Sequence, residues 1–200
     1  MANLVDYLDW RGDLPMTVDR FNEVDSLILT ELAYIEMGDA VPEDNASVPL
    51  SAVSKRLFVE SADGKKLEMG VVTAAKISEL LHKLARTPRF QDLRLSCFER
   101  RLDVENAEQF AALTIELPDD TVYLAFRGTD DTLAGWKENI HLSCMEEVPA
   151  QRQAVRYTER VAALYPNKRL RIGGHSKGGN LAMWAGAFCS RAVQDRIVNV

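Results

Sequence analysis

The sequence predicts an α/β fold in which a mostly parallel sheet carries helices on both faces and follows a mainly helical N-terminal region. Up to about residue 90, apolar residues recur at the three- and four-residue steps of helices. From Leu93 they alternate with polar residues, as in strands, and after residue 120 strand-like and helix-like runs follow each other in turn. Helices that connect parallel strands cover both faces of their sheet, which gives this fold class its layers.

Residues 1–90 are predicted to be mainly helical, either as a cap or as an outer layer of the same domain. One helix is expected to end near Gly38, a second to span 50–58, and a third to run from Thr73 to just before Pro88. The first carries an apolar stripe formed by Val24, Leu27, Ile28, Leu32 and Ile35. His82 lies on the third helix, where a lone histidine is expected to be a surface or packing residue.

Residues 91–200 are predicted to form the sheet-bearing core. Alternation over 93–99 and 110–117 indicates an antiparallel pair of strands, and the continuous apolar run 122–126 indicates a strand buried on both faces. Helices are expected over 133–141 and 150–164. A strand then leads into Ser176, a helix follows it, and a last strand begins at Arg196.

The composition is typical of a globular protein and argues against a nucleic-acid partner. The chain has 46% hydrophobic and 27% charged residues, and its net charge of −6 is unfavourable for binding a phosphate backbone. No run approaches the ~18 apolar residues of a membrane span, and the N-terminus lacks the pattern of a secretory signal. The cysteines, Cys97, Cys144 and Cys189, are widely separated, which fits reduced thiols in a cytoplasmic protein without a metal site.

The most informative motif is Gly-x-Ser-x-Gly at Gly174, Ser176 and Gly178, between a strand-like and a helix-like run. In a nucleophile elbow, the serine takes a strained backbone at a sharp turn from strand to helix, which lifts its hydroxyl clear of the sheet. Glycines are needed on both sides because side chains there would keep the strand and the helix apart. The flanking runs therefore predict that Ser176 is a nucleophile. The alternatives are a glycine-rich turn with this pattern by chance, or a phosphate-binding loop, which would need serine or threonine where Gly178 stands.

Two separated segments resemble class 3, fungal-type lipases of the α/β-hydrolase superfamily, whereas the first ninety residues look more like the N-terminal part of an uncharacterised bacterial branch of lipase-like hydrolases. The first is the strand 122–126 with Arg127-Gly128-Thr129 after it, followed by Trp136 and Asn139. The second is Gly174-His175-Ser176-Lys177-Gly178-Gly179 together with the helix before it. The resemblance covers about residues 120–190 and implies an α/β-hydrolase-like fold for the core.

The resemblance also implies a role for each matching residue. Ser176 would be the nucleophile, and the backbone amides of Thr129 and Lys177 would form the oxyanion hole, with the Thr129 hydroxyl as a possible further donor. An amide at the start of a helix suits this task because the positive end of the helix favours developing negative charge. A turn or N-cap threonine is the simpler role for Thr129. The supporting residues would be Arg127, Gly128, Trp136 and Asn139 around the Thr129 loop and Gly174, His175, Gly178 and Gly179 around the elbow.

Lys177 departs from the pattern of these lipases, in which an apolar residue usually follows the serine. A cation in the first turn of a helix opposes the helix macrodipole, so this position is locally unfavourable for lysine. One hypothesis is that its ammonium group lies at the mouth of the pocket and favours anionic substrates. The alternative is a lysine whose ammonium group extends into solvent.

The histidine and acid that would complete a catalytic triad are not evident after Ser176. In this superfamily both follow the serine in chain order, but residues 177–200 hold no histidine and only one acid, Asp195. His141 and His175 are the available substitutes. The simpler expectation is that the core is incomplete in this chain, and that residues beyond 200 supply two further strands, an aspartate and a histidine.

Together these features predict a serine hydrolase of the lipase or carboxylesterase type, acting on a small ester or lipid-like substrate without a metal or organic cofactor. The alternative is a non-catalytic α/β-hydrolase-like scaffold whose pocket binds a ligand or partner. The oligomeric state is not predicted.

Overall fold

The computed structural model describes residues 3–62, 74–106, 108–129 and 133–200, with the backbone alone for 59–62, 74–78, 133 and 134. The helices in these ranges are α1 (Leu4–Arg11), α2 (Glu23–Leu32), α3 (Leu50–Ala62), α4 (Ala74–Leu84), α5 (Leu133–His141), α6 (Pro149–Leu164), α7 (Lys177–Phe188) and α8 (Arg191–Gln194). The strands are β1 (Val48–Pro49), β2 (Arg94–Asp103), β3 (Glu108–Glu116), β4 (Thr121–Phe126), β5 (Arg169–Gly174) and β6 (Ile197–Asn199).

The described strands form one mixed sheet in the order β1-β2-β3-β4-β5-β6. Neighbours from β1 to β4 are antiparallel, whereas β4–β5 and β5–β6 are parallel. The predicted mostly parallel, α/β-hydrolase-like sheet is therefore wrong. The connections from β2 to β3 and from β3 to β4 are only a few residues long, whereas a parallel crossover needs a dozen or more, so these strands can pair only as hairpins.

The helices of the N-terminal region agree only in part with the prediction. Helix α3 begins at Leu50 and α4 ends at Leu84, close to the predicted bounds, but α2 ends at Leu32, before the predicted end near Gly38. Helix α1 is not predicted from the sequence, and the predicted start of the third helix, Thr73, lies outside the described residues. Asn22 caps α2, because its side chain accepts the amides of Val24 and Asp25. Asp25 returns a hydrogen bond to the Asn22 amide, which completes a capping box and fixes the start of the helix.

The sheet separates two hydrophobic cores, so helices cover both of its faces as predicted. Leu113, Ile115, Tyr123 and Ala125 face the N-terminal helices. The alternate residues Ala112, Val122, Leu124 and Phe126 face α6 and α7. Every residue of β4 is buried, which confirms the strand predicted from its continuous apolar run. The N-terminal helices therefore share a core with the sheet and form one of its layers.

A buried ion pair joins this helical layer to the turn after α4. Arg89 donates to both oxygens of Asp25, and neither side chain is exposed to solvent. The same guanidinium group donates to the carbonyl oxygens of Leu14, Asp19 and Arg20 at 2.9–3.1 Å.

No helix in the described part of the chain is both long enough and apolar enough to cross a membrane.

Candidate active site

Ser176 lies at a sharp turn between β5 and α7. Its backbone has φ 57° and ψ −124°, a left-handed conformation that costs a residue other than glycine about 1–3 kcal/mol. Its side chain is exposed and, within the described residues, caps nothing in α7. The predicted strand–turn–helix geometry is therefore present, with a strained serine at its apex.

Glycines allow the strand and the helix to approach this closely. A Cβ atom at position 174 would lie 2.2 Å from the carbonyl carbon of Gly178. A Cβ atom at position 178 would lie 2.2 Å from the carbonyl oxygen of Phe126, and one at 179 would lie 3.1 Å from that of Gly174. A side chain at 174 would therefore force the strand and the helix apart, as the sequence motif predicts, whereas a side chain at 178 would push the helix away from the end of β4.

The loop that carries Thr129 lies beside the elbow. Phe126, the last residue of β4, pairs in parallel register with Gly174, the last residue of β5, so both segments leave the sheet at the same edge. A Cβ atom at Gly128 would lie 2.6 Å from the carbonyl oxygen of His175. Arg127 is 5% exposed and its amide donates to Ala111 at 2.9 Å, which anchors the start of the loop. The two segments that the sequence analysis links are therefore adjacent in space.

Thr129 contributes a buried polar atom at this junction. Its Oγ1 is shielded from solvent and has no hydrogen-bond partner among the described residues. A buried hydroxyl without a partner costs about 1–3 kcal/mol, so this atom is unfavourable unless something binds it. Lys177 is the first residue of α7, so its amide lies at the positive end of the helix macrodipole. Lys177 directly follows Ser176, and Thr129 directly follows Gly128, which lies against the His175 carbonyl oxygen.

The Lys177 side chain runs into the protein interior. It is 3% exposed, and its Nζ donates to the Gln109 carbonyl oxygen at 2.6 Å, to Gln109 Oε1 at 2.8 Å and to Glu138 Oε2 at 2.7 Å. The hypothesis of an ammonium group at the mouth of the pocket is therefore wrong, and so is the alternative of a lysine extending into solvent. Its predicted backbone role in the oxyanion hole does not depend on where the side chain goes.

Helix α5 presents a residue that the sequence analysis does not identify. Trp136 is 59% exposed and Asn139 is also exposed, so neither lies in the interior beneath the Thr129 loop. Glu138, between them, is fully buried and accepts hydrogen bonds from Lys177, Gln109 and Ala150. A single glutamate in a short helix gives no sequence signal of such a role, because its partners are distant in the chain.

A cleft of about 520 Å³ opens beside Ser176. One wall is formed by Ser26, Leu27 and Thr30 of α2, and the opposite wall contains Ser176 and Met183 at the elbow and along α7. Its volume falls within the range of small-molecule sites, about 300–1,000 Å³. The N-terminal region therefore supplies one side of the candidate site, which its helical periodicity does not reveal.

Two further side chains from the end of this N-terminal wall reach the elbow. Tyr34 Oη lies 3.4 Å from His175 Nδ1, and a Cβ atom at Gly128 would lie 2.2 Å from this hydroxyl. Burial raises the pKa of Glu31, and the charge of nearby His175 acts in the opposite direction. Tyr34 thus contacts both the elbow and the Thr129 loop.

No histidine ring hydrogen-bonds to the Ser176 hydroxyl within the described residues. His175 contacts Tyr34, and His82 packs edge-on against Phe58 with ring centroids 5.0 Å apart. His141 is the last residue of α5. Asp195 pairs with Arg191 at 3.0 Å on the surface. Among the described residues, no three His, Cys, Asp or Glu side chains lie close enough together to hold a metal ion.

A family model described as Mbeg1-like matches residues 84–200, which is more than half of the chain. The matched segment contains the sheet from β2 to β6, the Thr129 loop, Glu138 and the elbow, whereas α2 and Tyr34 lie outside it. Comparisons with curated proteins and with solved structures found no match.

Proposed function

This chain is a member of the Mbeg1-like family, and we propose that it is a serine hydrolase of the lipase or carboxylesterase type with Ser176 as its nucleophile. One observation carries the proposal. An exposed serine with φ 57° and ψ −124° stands between a strand and a helix, at the edge of a cleft. A strained backbone of this kind persists only where the surrounding structure holds it, and such strain clusters at functional sites.

In the proposed reaction, Ser176 Oγ attacks the carbonyl carbon of an ester while a base takes its proton. The tetrahedral oxyanion accepts hydrogen bonds from the amides of Thr129 and Lys177, and the Thr129 hydroxyl adds a third donor. The proton then passes to the leaving alcohol, and an acyl-serine remains. Water attacks this acyl group, which releases the acid and restores the serine. The base is assigned to none of the described residues.

The cleft favours a small ester or lipid-like substrate. Phe21, Leu27, Ala182 and Met183 supply apolar surface along it, and Asn22, Ser26 and Thr30 supply groups able to hydrogen-bond. Glu23 and Arg171 add charged groups to the lining. Such a mixture suits a substrate with an apolar chain and a few polar atoms. No metal or organic cofactor takes part in this reaction. A cytoplasmic location stays a prediction.

The second candidate function is a non-catalytic scaffold that uses the cleft to bind a ligand. The absence of a histidine hydrogen-bonded to Ser176 within the described residues favours it. In that case the strained serine would be a binding group, and its hydroxyl would not be activated.

Reaction with a fluorophosphonate probe distinguishes the two functions, because this reagent labels only activated serines. We expect the full chain to be labelled at one site and Ser176→Ala not to be labelled. Ser143→Ala is the matched control, since Ser143 is an exposed serine outside the cleft whose hydroxyl bonds to Ile140. A folded parent protein that resists labelling, and that binds a small ester analogue more tightly than the Ser176→Ala variant does, would support the scaffold.

A further inference from the structure

We propose that Glu138 is a positioning residue of this site, which acts through its buried ion pair with Lys177 to hold the two oxyanion-binding segments in register. This inference rests on the proposed function. It assigns a role to a pair of charges that the reaction itself does not use.

Both oxygens of the Glu138 carboxylate accept hydrogen bonds. Oε2 accepts from Lys177 Nζ at 2.7 Å and from the Gln109 amide at 3.2 Å, and Oε1 accepts from the Ala150 amide at 3.0 Å. Neither Glu138 nor Lys177 has any exposed side-chain surface in this pair. The carboxylate therefore ties together α5, β3, the first turn of α6 and the start of α7 at one point.

Three of these elements, α5, β3 and α7, adjoin the segments that carry the proposed oxyanion donors. Lys177 directly follows Ser176 and carries one proposed amide donor. Glu138 belongs to α5, the helix that follows the loop of the other donor, Thr129. Gln109 lies in β3, which pairs with β4, the strand that leads into the same loop. The ion pair thus connects α5, which follows the Thr129 loop in the chain, to Lys177, the residue after the nucleophile.

Stability alone does not explain a charged pair at this place. Well-packed apolar residues of similar volume often replace a buried ion pair without loss of stability. A cation in the first turn of α7 is also opposed by the helix macrodipole. The pair instead fixes geometry, because three hydrogen bonds to one carboxylate restrict how α5 and α7 can shift relative to each other.

A small shift between these segments has a large effect on the reaction. Misplacing catalytic groups by about 1 Å can cost on the order of 100-fold in rate, and loss of one oxyanion donor costs about 100- to 1,000-fold. Oxyanion contacts form in the transition state, so the loss should fall on kcat and leave KM nearly unchanged. Disruption of the pair should therefore slow acylation of Ser176 by about 10- to 1,000-fold.

The test compares Glu138→Gln, Lys177→Met and the charge-neutral double variant with the parent. Two quantities are measured with a fluorophosphonate probe: the final labelled fraction and the labelling rate constant, both relative to the folded fraction from urea unfolding. We expect every folded molecule to be labelled eventually, with a rate constant about 10- to 1,000-fold below that of the parent. The double variant should recover stability, since no unpaired charge stays buried, without recovering the rate.

Tyr157→Phe is the matched control. Tyr157 also makes buried hydrogen bonds between a helix and the sheet, with Thr114 at 2.8 Å and with the Cys97 carbonyl oxygen at 2.9 Å, and neither partner belongs to the ion pair. Its removal should lower stability and leave the rate constant within about threefold of the parent.

The outcomes separate the two proposals. If the parent is labelled and all three variants react at the parental rate per folded molecule, the positioning role is wrong and the proposed function stands. If the parent itself is not labelled, the proposed function fails and the positioning role fails with it. A fall in kcat of an ester substrate with unchanged KM, in step with the slower labelling, supports both.

Discussion

Two buried ion pairs in different regions of the molecule have different partners. Arg89 binds Asp25 and also donates hydrogen bonds to the carbonyl oxygens of Leu14, Asp19 and Arg20. Lys177 binds Glu138, and this carboxylate also accepts hydrogen bonds from backbone amides of β3 and α6. Each cation donates to backbone carbonyl oxygens and each anion accepts backbone amides, but the balance differs. Among the described residues, Arg89 donates to three carbonyl oxygens, whereas Lys177 donates to that of Gln109. Glu138 accepts two backbone amides, whereas Asp25 accepts that of Asn22.

The difference reflects what each pair holds in place. A guanidinium group is a planar fork with five donors, and here it fixes the path of the irregular segment between α1 and α2. Arg89 lies inside the family-matched segment and Asp25 outside it, so this pair also attaches the N-terminal layer to the matched segment. Lys177 and Glu138 both lie within the matched segment, beneath the elbow. One pair therefore supports the fold, and the other supports the geometry of the candidate site.

The largest expected effect is on stability, from Arg89→Met. This change leaves the Asp25 carboxylate buried without its counter-charge, and removal of one partner from a buried pair typically costs about 3–5 kcal/mol. We expect the free energy of unfolding in urea to fall by about this amount, with the labelling rate of the folded molecules close to parental. Arg86→Met, at an exposed position three residues earlier, should change stability by less than about 0.5 kcal/mol. A slowing of labelling as large as that in Lys177→Met would remove the distinction between the two pairs.

A smaller effect is expected from steric changes within α7. Gly178→Ala places a methyl group 2.2 Å from the Phe126 carbonyl oxygen, and overpacking of this kind costs about 1–3 kcal/mol. The elbow must shift to relieve this contact, so labelling should be lost or greatly slowed. Gly186→Ala is the matched control in the same helix. Its methyl group meets only the end of the flexible Val200 side chain at 3.2 Å, and alanine favours a helix over glycine by about 1 kcal/mol. Equal effects of the two changes on labelling would show that the elbow tolerates displacement.

The smallest effect concerns Glu31, which lies where the N-terminal layer meets the elbow. Burial raises the pKa of Glu31, so the folded protein holds this proton more tightly than the unfolded chain. The stability that this provides is fully present below the usual glutamate pKa and is lost as pH rises through the raised pKa. Glu31→Gln stays neutral, so its stability should rise relative to the parent as pH increases through that window.

Urea unfolding of Glu31→Gln and of the parent at a series of pH values tests whether the variant gains stability relative to the parent as pH increases. Asp19→Asn provides the opposite case, because a hydrogen bond from Arg11 lowers the pKa of Asp19. The Asp19 contribution is present above the usual aspartate pKa and is lost as pH falls, so Asp19→Asn should be least stable relative to the parent at neutral pH. If the free energy of unfolding of Glu31→Gln changes with pH in the same way as that of the parent, the pKa of Glu31 is not raised in the folded protein.

Features that depend on near neighbours in the chain are predicted well from the sequence. The elbow is recognisable because Gly174, Ser176 and Gly178 lie within five residues and their steric requirements are local. Helices α5 and α6 follow from periodicity, and β4 from its continuous apolar run. The error in the sheet arises from strand direction. The antiparallel pair of β2 and β3 and the parallel pairing after β4 are both present as predicted. The hairpin from β3 to β4 and the short strand β1 are not predicted from the sequence, and they make antiparallel neighbours the majority among the described strands.

The amino-acid sequence alone shows that a glycine-flanked serine stands between a strand and a helix, because neighbouring residues decide whether so tight a turn can form. The fold was needed to reveal where the Lys177 ammonium group lies, that Glu138 is its counter-charge, and that α2 forms the far wall of the cleft. Lys177 and Glu138 are separated by 39 positions, and no local preference encodes which charges will meet. Burial decides which charges pair, because a charge removed from water is tolerated only beside an opposite charge and hydrogen-bond partners, and packing brings these to it.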